Sequence, residues 1–217
     1  MFGIFKKTIH EPAEQQKRDV AGYPDTLRDM VLSGESCDTV SGAFGDFGRC
    51  PSNPIPVNGI VGTYKYFSKL HTPIGSALFF HRICSVDSSV IKNPVDVYET
   101  VSMDGTLWDA FFFDFYHPRR SNLAPSGYRL VPYDKRTGDL PFAFGIDKQL
   151  RNFPHDLPAA IANSTHLGEP FARRARERIA KTVFHRPAEH IAWLKSMKVA
   201  PSTVSVVDPD SGTVFYP

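Results

Sequence analysis

His117-Pro118-Arg119-Arg120-Ser121 gathers side chains suited to holding an anion. Arginine presents a planar fork that grips carboxylate or phosphate oxygens in pairs. Ser121 and the loop amides add donors. His81 and Arg82, on a strand two places away, are expected to reach the same corner. So is the Asn58–Gly59 turn, which ends the stiff segment Asn53-Pro54-Ile55-Pro56-Val57-Asn58-Gly59. Each proline there fixes its own φ and restricts the residue before it. The bland alternative is a solvated loop edge in which Arg119 and Arg120 pair with Asp or Glu.

A second set could move protons. Asp114 ends a run of phenylalanines, and Asp109 and Glu99 sit on or beside strands. A carboxylate in such surroundings must be exposed, paired or shifted in pKa. Alternation puts Asp114 on the face of Phe112 and Tyr116, with Arg82 or a similar base as its expected partner. Asp114 and His117 are the candidate acid–base residues of a hydrolase-type enzyme.

Other chemistries find less footing. No Gly-x-Ser-x-Gly elbow occurs. Cys50, in a glycine-rich loop, and Cys84, expected in the core, supply residue types for a Cys/His pair but no spacing. No metal is expected. Strand alternation would put His81 and Cys84 on opposite faces, and Pro187 interrupts the His185-to-His190 pattern. No Walker loop is present, and Gly42-x-x-Gly45-x-x-Gly48 has neither strand before it nor helix after, so no nucleotide cofactor is expected. Between Glu169 and Lys198, eight Lys/Arg stand against three Glu, which leaves the remainder at −3 out of a net +2. This basic stretch is the candidate for nucleic-acid association. However, Glu177 lies four residues from both Arg173 and Lys181, the pattern of a solvated salt-bridged face.

The elements that position these groups follow from periodicity and punctuation. Residues 1–23 read as a peripheral arm, and a short helix follows over Thr26–Leu32 with Gly34 as its stop. Residues 34–59 are turn-rich. Helical spacing over 59–70 has Asn58 as its N-cap. Strands are expected at 77–86, 95–102 and 107–116, the last two joined by the Asp104–Gly105 turn. Tyr128–Pro132 is a candidate edge strand because Pro132 would break a central ladder. Residues 133–158 read as irregular. Two helices, 170–184 and 187–198, and a hairpin over 204–216 close the chain.

These readings give an α+β fold. An antiparallel meander of three to five strands packs on one helix, with a C-terminal helical pair and a terminal hairpin. The expected division is an arm (1–23), a body (24–145) and a basic helical appendix (146–217). At 217 residues the chain can bury a sizeable core without staples. Three cysteines without close pairing, no signal-like start and no long apolar run indicate a soluble cytoplasmic protein and no membrane span.

Four segments carry a resemblance: Asn53-Pro-Ile-Pro-Val-Asn-Gly59, Phe80-His-Arg82, Asp96-Val-Tyr-Glu99 and Tyr116-His-Pro-Arg-Arg-Ser121. Together they resemble a bacterial family of small hypothetical proteins without assigned activity, over roughly residues 40–132. The resemblance implies that this block is one unit and supplies no catalytic residues. The leading functional expectation is a binding or interaction protein that holds an anionic small molecule or an acidic protein surface at the His-Pro-Arg-Arg corner. A hydrolase-type enzyme is the first alternative, and nucleic-acid association is the second.

Overall fold

The computed structural model describes residues 13–132, 144–164 and 167–197, and the backbone of 206–207 and 214–215. The chain divides into two units, Met1–His185 and Arg186–Pro217. In chain order, the first unit contains α1 (Ala13–Ala21), α2 (Asp25–Ser33), β1 (Ile55–Pro56), α3 (Gly59–Lys69) and β2 (Leu70–His71). It continues with β3 (Leu78–Val86), β4 (Val95–Ser102), β5 (Trp108–Asp114), β6 (Arg129–Leu130) and β7 (Phe144–Ile146), then α4 (Leu157–Ala162) and α5 (Gly168–Ile179). The second unit contains α6 (Ala188–Ser196) and the antiparallel pair β8 (Val206–Val207) and β9 (Val214–Phe215).

The α+β class holds, and β3, β4 and β5 do form an antiparallel meander. The sheet as a whole is mixed, in the order β1-β5-β4-β3-β7. β1 runs parallel to β5 at one edge, and β7 runs parallel to β3 at the other. This corrects the purely antiparallel expectation. Two or three residues make too short a pattern for either edge strand to show alternation. Pro56 suits its place because an edge strand can do without one N–H. The Tyr128–Pro132 segment does not join this sheet. Its β6 pairs with β2 in a separate two-stranded ladder. The arm, expected only to be peripheral, contains α1; its first twelve residues lie outside the described part, as do 133–143 and 165–166. The long basic helix is shorter than expected, and α4 precedes it in a stretch whose periodicity gave no helix.

Each sheet face has its own core. Phe80, Tyr98, Phe111 and Phe113 pack with Tyr66, Phe67 and Leu70 from α3 and its end. Phe67 stacks on Phe80 with centroids 4.1 Å apart. On the opposite face, Phe79, Val101 and Trp108 meet Leu157 and Ile161 of α4 and Ala172, Ala175 and Ile179 of α5. Each fully buried large side chain contributes about 1.5–3 kcal/mol through the water it excludes. A bulge between Arg82 and Cys84 shifts the β3–β4 register by one residue. As a result His81 and Cys84 face Glu99 and Val97, which share a face, so alternation alone misplaces them.

The start of α3 matters for the site. Asn58 stands at the N-cap position but gives no side-chain cap. Its amide is spent elsewhere, accepting from Arg120 Nη1 at 2.8 Å and donating to the Gln16 carbonyl at 3.2 Å. The Tyr23 hydroxyl takes over, accepting the Val61 N–H at 2.9 Å and donating to the Asn58 carbonyl at 3.1 Å. The Tyr23 ring lies 2.7 Å from where a Cβ on Gly59 would stand, and Gly59 has φ +77. Only glycine satisfies both constraints.

Candidate functional site

The end of β5 is where three stretches of chain meet. Val57 N–H donates to the Asp114 carbonyl at 2.8 Å, and Gly59 N–H donates to that of Phe115 at 2.9 Å. Asn58 bridges Tyr116, and Ser121 N–H donates to the Pro56 carbonyl at 2.9 Å. The stiff 53–59 segment therefore does reach the His-Pro-Arg-Arg corner. The third stretch, residues 34–38, is stapled on from the other side. Arg119 Nε donates to Ser36 Oγ at 3.0 Å and Nη1 donates to Asp38 Oδ1 at 2.6 Å. Asp38 also accepts from Asn122 N–H at 2.8 Å, and its carbonyl accepts from Ser121 Oγ at 2.8 Å. Burial works against the Asp38 charge, but the Arg119 and Asn122 contacts outweigh it and hold the carboxyl below its ordinary value.

His117 sits inside this staple. Its Nε2 lies 2.8 Å from Asp114 Oδ2 and its Nδ1 lies 2.7 Å from the Glu35 carbonyl. Cys37 Sγ is 3.6 Å from the same Nδ1. His117 and Asp114 are buried, while Cys37 is partly exposed. A carbonyl only accepts, so Nδ1 carries a proton; Nε2 faces a carboxylate and carries one as well. Both nitrogens thus stand opposite acceptors, the arrangement that suits an imidazolium. Burial opposes that charge, but the Asp114 hydrogen bond and charge, with the Glu35 carbonyl and carboxylate, raise the His117 pKa above its ordinary value. Cys37 is shifted too. Burial first, then Glu35, pushes its thiol up to about 11, with Arg119 pulling weakly the other way.

This arrangement ties stability to pH. The native state holds the His117 proton more tightly than the unfolded chain does. The stabilisation is therefore complete below the unfolded histidine pKa and is lost as pH rises through the higher native one. Urea titrations from about pH 6 to about pH 9 should show wild type losing stability that His117→Gln does not lose. A wild-type curve parallel to that of the variant would remove the effect.

Close approach also fixes the loop. A Cβ on Gly34 would stand 1.8 Å from the Tyr116 carbonyl oxygen, although its φ of −70 suits any residue. The obstacle is space alone. Gly34→Ala should push residues 34–38 off the corner and expose Cys37. Faster alkylation of Cys37, with slow exchange retained by the β4 amides, checks this; unchanged alkylation would contradict it.

Arg120 turns inward. Its Nη1 donates to Asp19 Oδ2 and to Asn58 Oδ1, each at 2.8 Å, and its N–H donates to Gln16 Oε1 at 2.8 Å. Lys65 Nζ meets Asp19 Oδ1 at 2.6 Å. Each guanidinium of the corner thus already engages a carboxylate of the chain itself, Asp38 or Asp19. An incoming anion would have to displace it.

His81 and Arg82 go elsewhere. His81 Nε2 lies 2.8 Å from Glu99 Oε2, its Nδ1 accepts the Leu150 N–H at 3.0 Å, and its ring stacks on Phe153. An acceptor at Nδ1 leaves the proton on Nε2, so this ring is held neutral while His117 is held charged. Arg82 pairs with Asp96 at 2.7 Å, and Asp114 takes His117 where a base such as Arg82 was expected. Asp109 pairs with Arg49 at 2.6 Å and accepts from the Tyr128 hydroxyl at 3.1 Å. On α5, Arg173, Arg176 and Arg178 are exposed beside Glu169 and Glu177. Among the described residues, no group of three or more His, Cys, Asp or Glu could hold a metal, and no helix is long and apolar enough to cross a membrane.

The chain matches no family model, no curated protein and no solved structure. The residue that sequence reasoning missed is Cys37. It stands eighty positions from His117 and lies in a turn-rich stretch without periodicity, so nothing in the spacing links the two.

Proposed function

We propose that this protein is a thiol-dependent hydrolase or acyl transferase centred on Cys37, His117 and Asp114. The observation that carries the reading is the line of three groups. A partly exposed thiol lies 3.6 Å from one nitrogen of a buried imidazole, whose other nitrogen lies 2.8 Å from a buried carboxylate. Nucleophilic catalysis asks for a nucleophile beside a base that a third group orients.

The roles follow from position. With Nδ1 unprotonated, Cys37 gives it the thiol proton, and the thiolate attacks a substrate carbonyl, forming a C–S bond. The leaving group departs with the proton from His117. Water, deprotonated by the same ring, then cleaves the acyl–sulfur bond and regenerates the thiol. Asp114 is a positioning residue. It holds the ring by Nε2 and favours its charged form, and the Tyr116 N–H at 3.2 Å holds the carboxylate in turn. Of the two candidate acid–base residues, His117 keeps the proton-transfer role and Asp114 supports it.

The test is a panel of thioesters, aryl esters and amides offered to wild type and to Cys37→Ser. Turnover of any class that the substitution abolishes supports the reading. Equal rates across the whole panel would end it.

A further inference from the structure

The Nδ1 atom of His117 has two claimants. The Glu35 carbonyl lies 2.7 Å away and the Cys37 thiol 3.6 Å away. The first can only accept a hydrogen bond, and the second must donate if the ring is to act as its base. One nitrogen cannot serve both in one protonation state. We propose that Nδ1 of His117 is a two-position switch, bound to the Glu35 carbonyl while the ring is cationic and available to the Cys37 thiol only once that proton has left.

The 2.7 Å contact with the Glu35 carbonyl fits the cationic state. The thiol then sits beside a filled donor and has no base. Loss of the Nδ1 proton to solvent turns a 2.7 Å hydrogen bond into two lone pairs face to face. That contact must open, and the Cys37 S–H becomes the donor in reach. Its proton can then move onto Nδ1, leaving thiolate beside imidazolium. No other reactant is needed, because one proton leaves for solvent and one shifts from sulfur to nitrogen.

The charges around the switch are few. Asp114 faces Nε2 from the end of β5, and Glu35 and Cys37 face the ring from the 34–38 loop. Arg119 and Asp38 act on the thiol, but they are paired with each other at 2.6 Å. Asp114 keeps Nε2 protonated in both positions, so only the Nδ1 proton is exchanged.

This inference rests on the thiol reading for its purpose, but it can be read without a substrate. The probe is iodoacetamide, which forms an S–C bond and releases iodide. Rates are taken at each cysteine by mass spectrometry of peptides from the full chain, with Cys50 as internal reference. A thiol ionising on its own near 11 should react about tenfold faster per pH unit, without a plateau, across the neutral range. A thiol coupled to His117 should instead rise and level off as the ring loses its proton, because the pair then shares one proton in fixed proportion.

The expected result is that plateau in wild type, with its midpoint at the ring titration followed by NMR, and its loss in His117→Gln. A Cys37 profile that climbs tenfold per unit throughout would overturn the switch. Should His117→Gln unfold, shown by rapid alkylation of buried Cys84, coincidence of the two wild-type midpoints decides alone. A plateau without turnover on the substrate panel keeps the switch and removes the hydrolase. Cys37-dependent turnover without a plateau does the reverse.

Discussion

Cys37→Ala should lower acyl-transfer turnover by about 10⁴-fold or more, with little change in stability. Removing the nucleophile of such a unit leaves only what binding and orientation supply, and losses of that order are usual. Cys37 is partly exposed, and its thiol makes one long contact with Nδ1. The loop around it is held by Glu35, Ser36 and Asp38, not by the sulfur. Activity and folding should therefore separate cleanly. Parallel measurement of turnover and urea denaturation checks this, and a loss of both together would point to a structural role for Cys37.

The largest stability effect is expected at Asp19. Its carboxylate bridges Lys65 and Arg120 at 2.6 and 2.8 Å, and all three side chains are at least nine-tenths buried. Removing one member of a buried ion pair costs about 3–5 kcal/mol, because the charge on the other stays out of water. Asp19→Ala removes the carboxylate that two buried cations share, so a loss within that range is expected. The change should also loosen α1, whose other links here run through Gln16 to Asn58 and Arg120. Asp25→Ala is the control. Asp25 pairs with Arg28 at 2.7 Å, but its side chain is 84% exposed, so its removal should be nearly neutral. Urea midpoints that moved equally in the two variants would contradict this account of the corner.

How much of this was legible depends on distance along the chain. The meander could be read because each strand carries its own pattern and the Asp104–Gly105 turn sets one connection. The parallel edges could not. Ile55–Pro56 and Phe144–Ile146 have no pattern of their own, and tertiary pairing alone makes them strands. The bulge at Ile83 is also invisible to counting, and it overturned an argument from odd spacing. Asn58 shows the same limit at a helix start. Its residue type suits a cap, yet a buried arginine claims its side chain and Tyr23 supplies the cap instead.

The candidate site divided in the same way. The 53–59 segment was a candidate to meet the His-Pro-Arg-Arg corner on its residue types, and its backbone bonds at the end of β5 bring it there. The Asp114–His117 pair was not expected, although it spans only three positions; Arg82, the expected kind of partner, pairs with Asp96 instead. The partners of the arginines, Asp19 and Asp38, come from stretches that carry no signal pointing to residues eighty or a hundred positions away. Those partners, Asp38 for Arg119 and Asp19 for Arg120, are ones that an incoming anion would have to displace.

The most direct measurement is acylation of the protein itself. Wild type treated with p-nitrophenyl acetate should release one nitrophenol per chain in a rapid burst. Peptide mass spectrometry should place the acetyl group on Cys37, and the burst should slow by about 10²-fold or more in His117→Gln. Acetylation of Cys37 no faster than that of Cys50, or a burst indifferent to His117, would contradict the account.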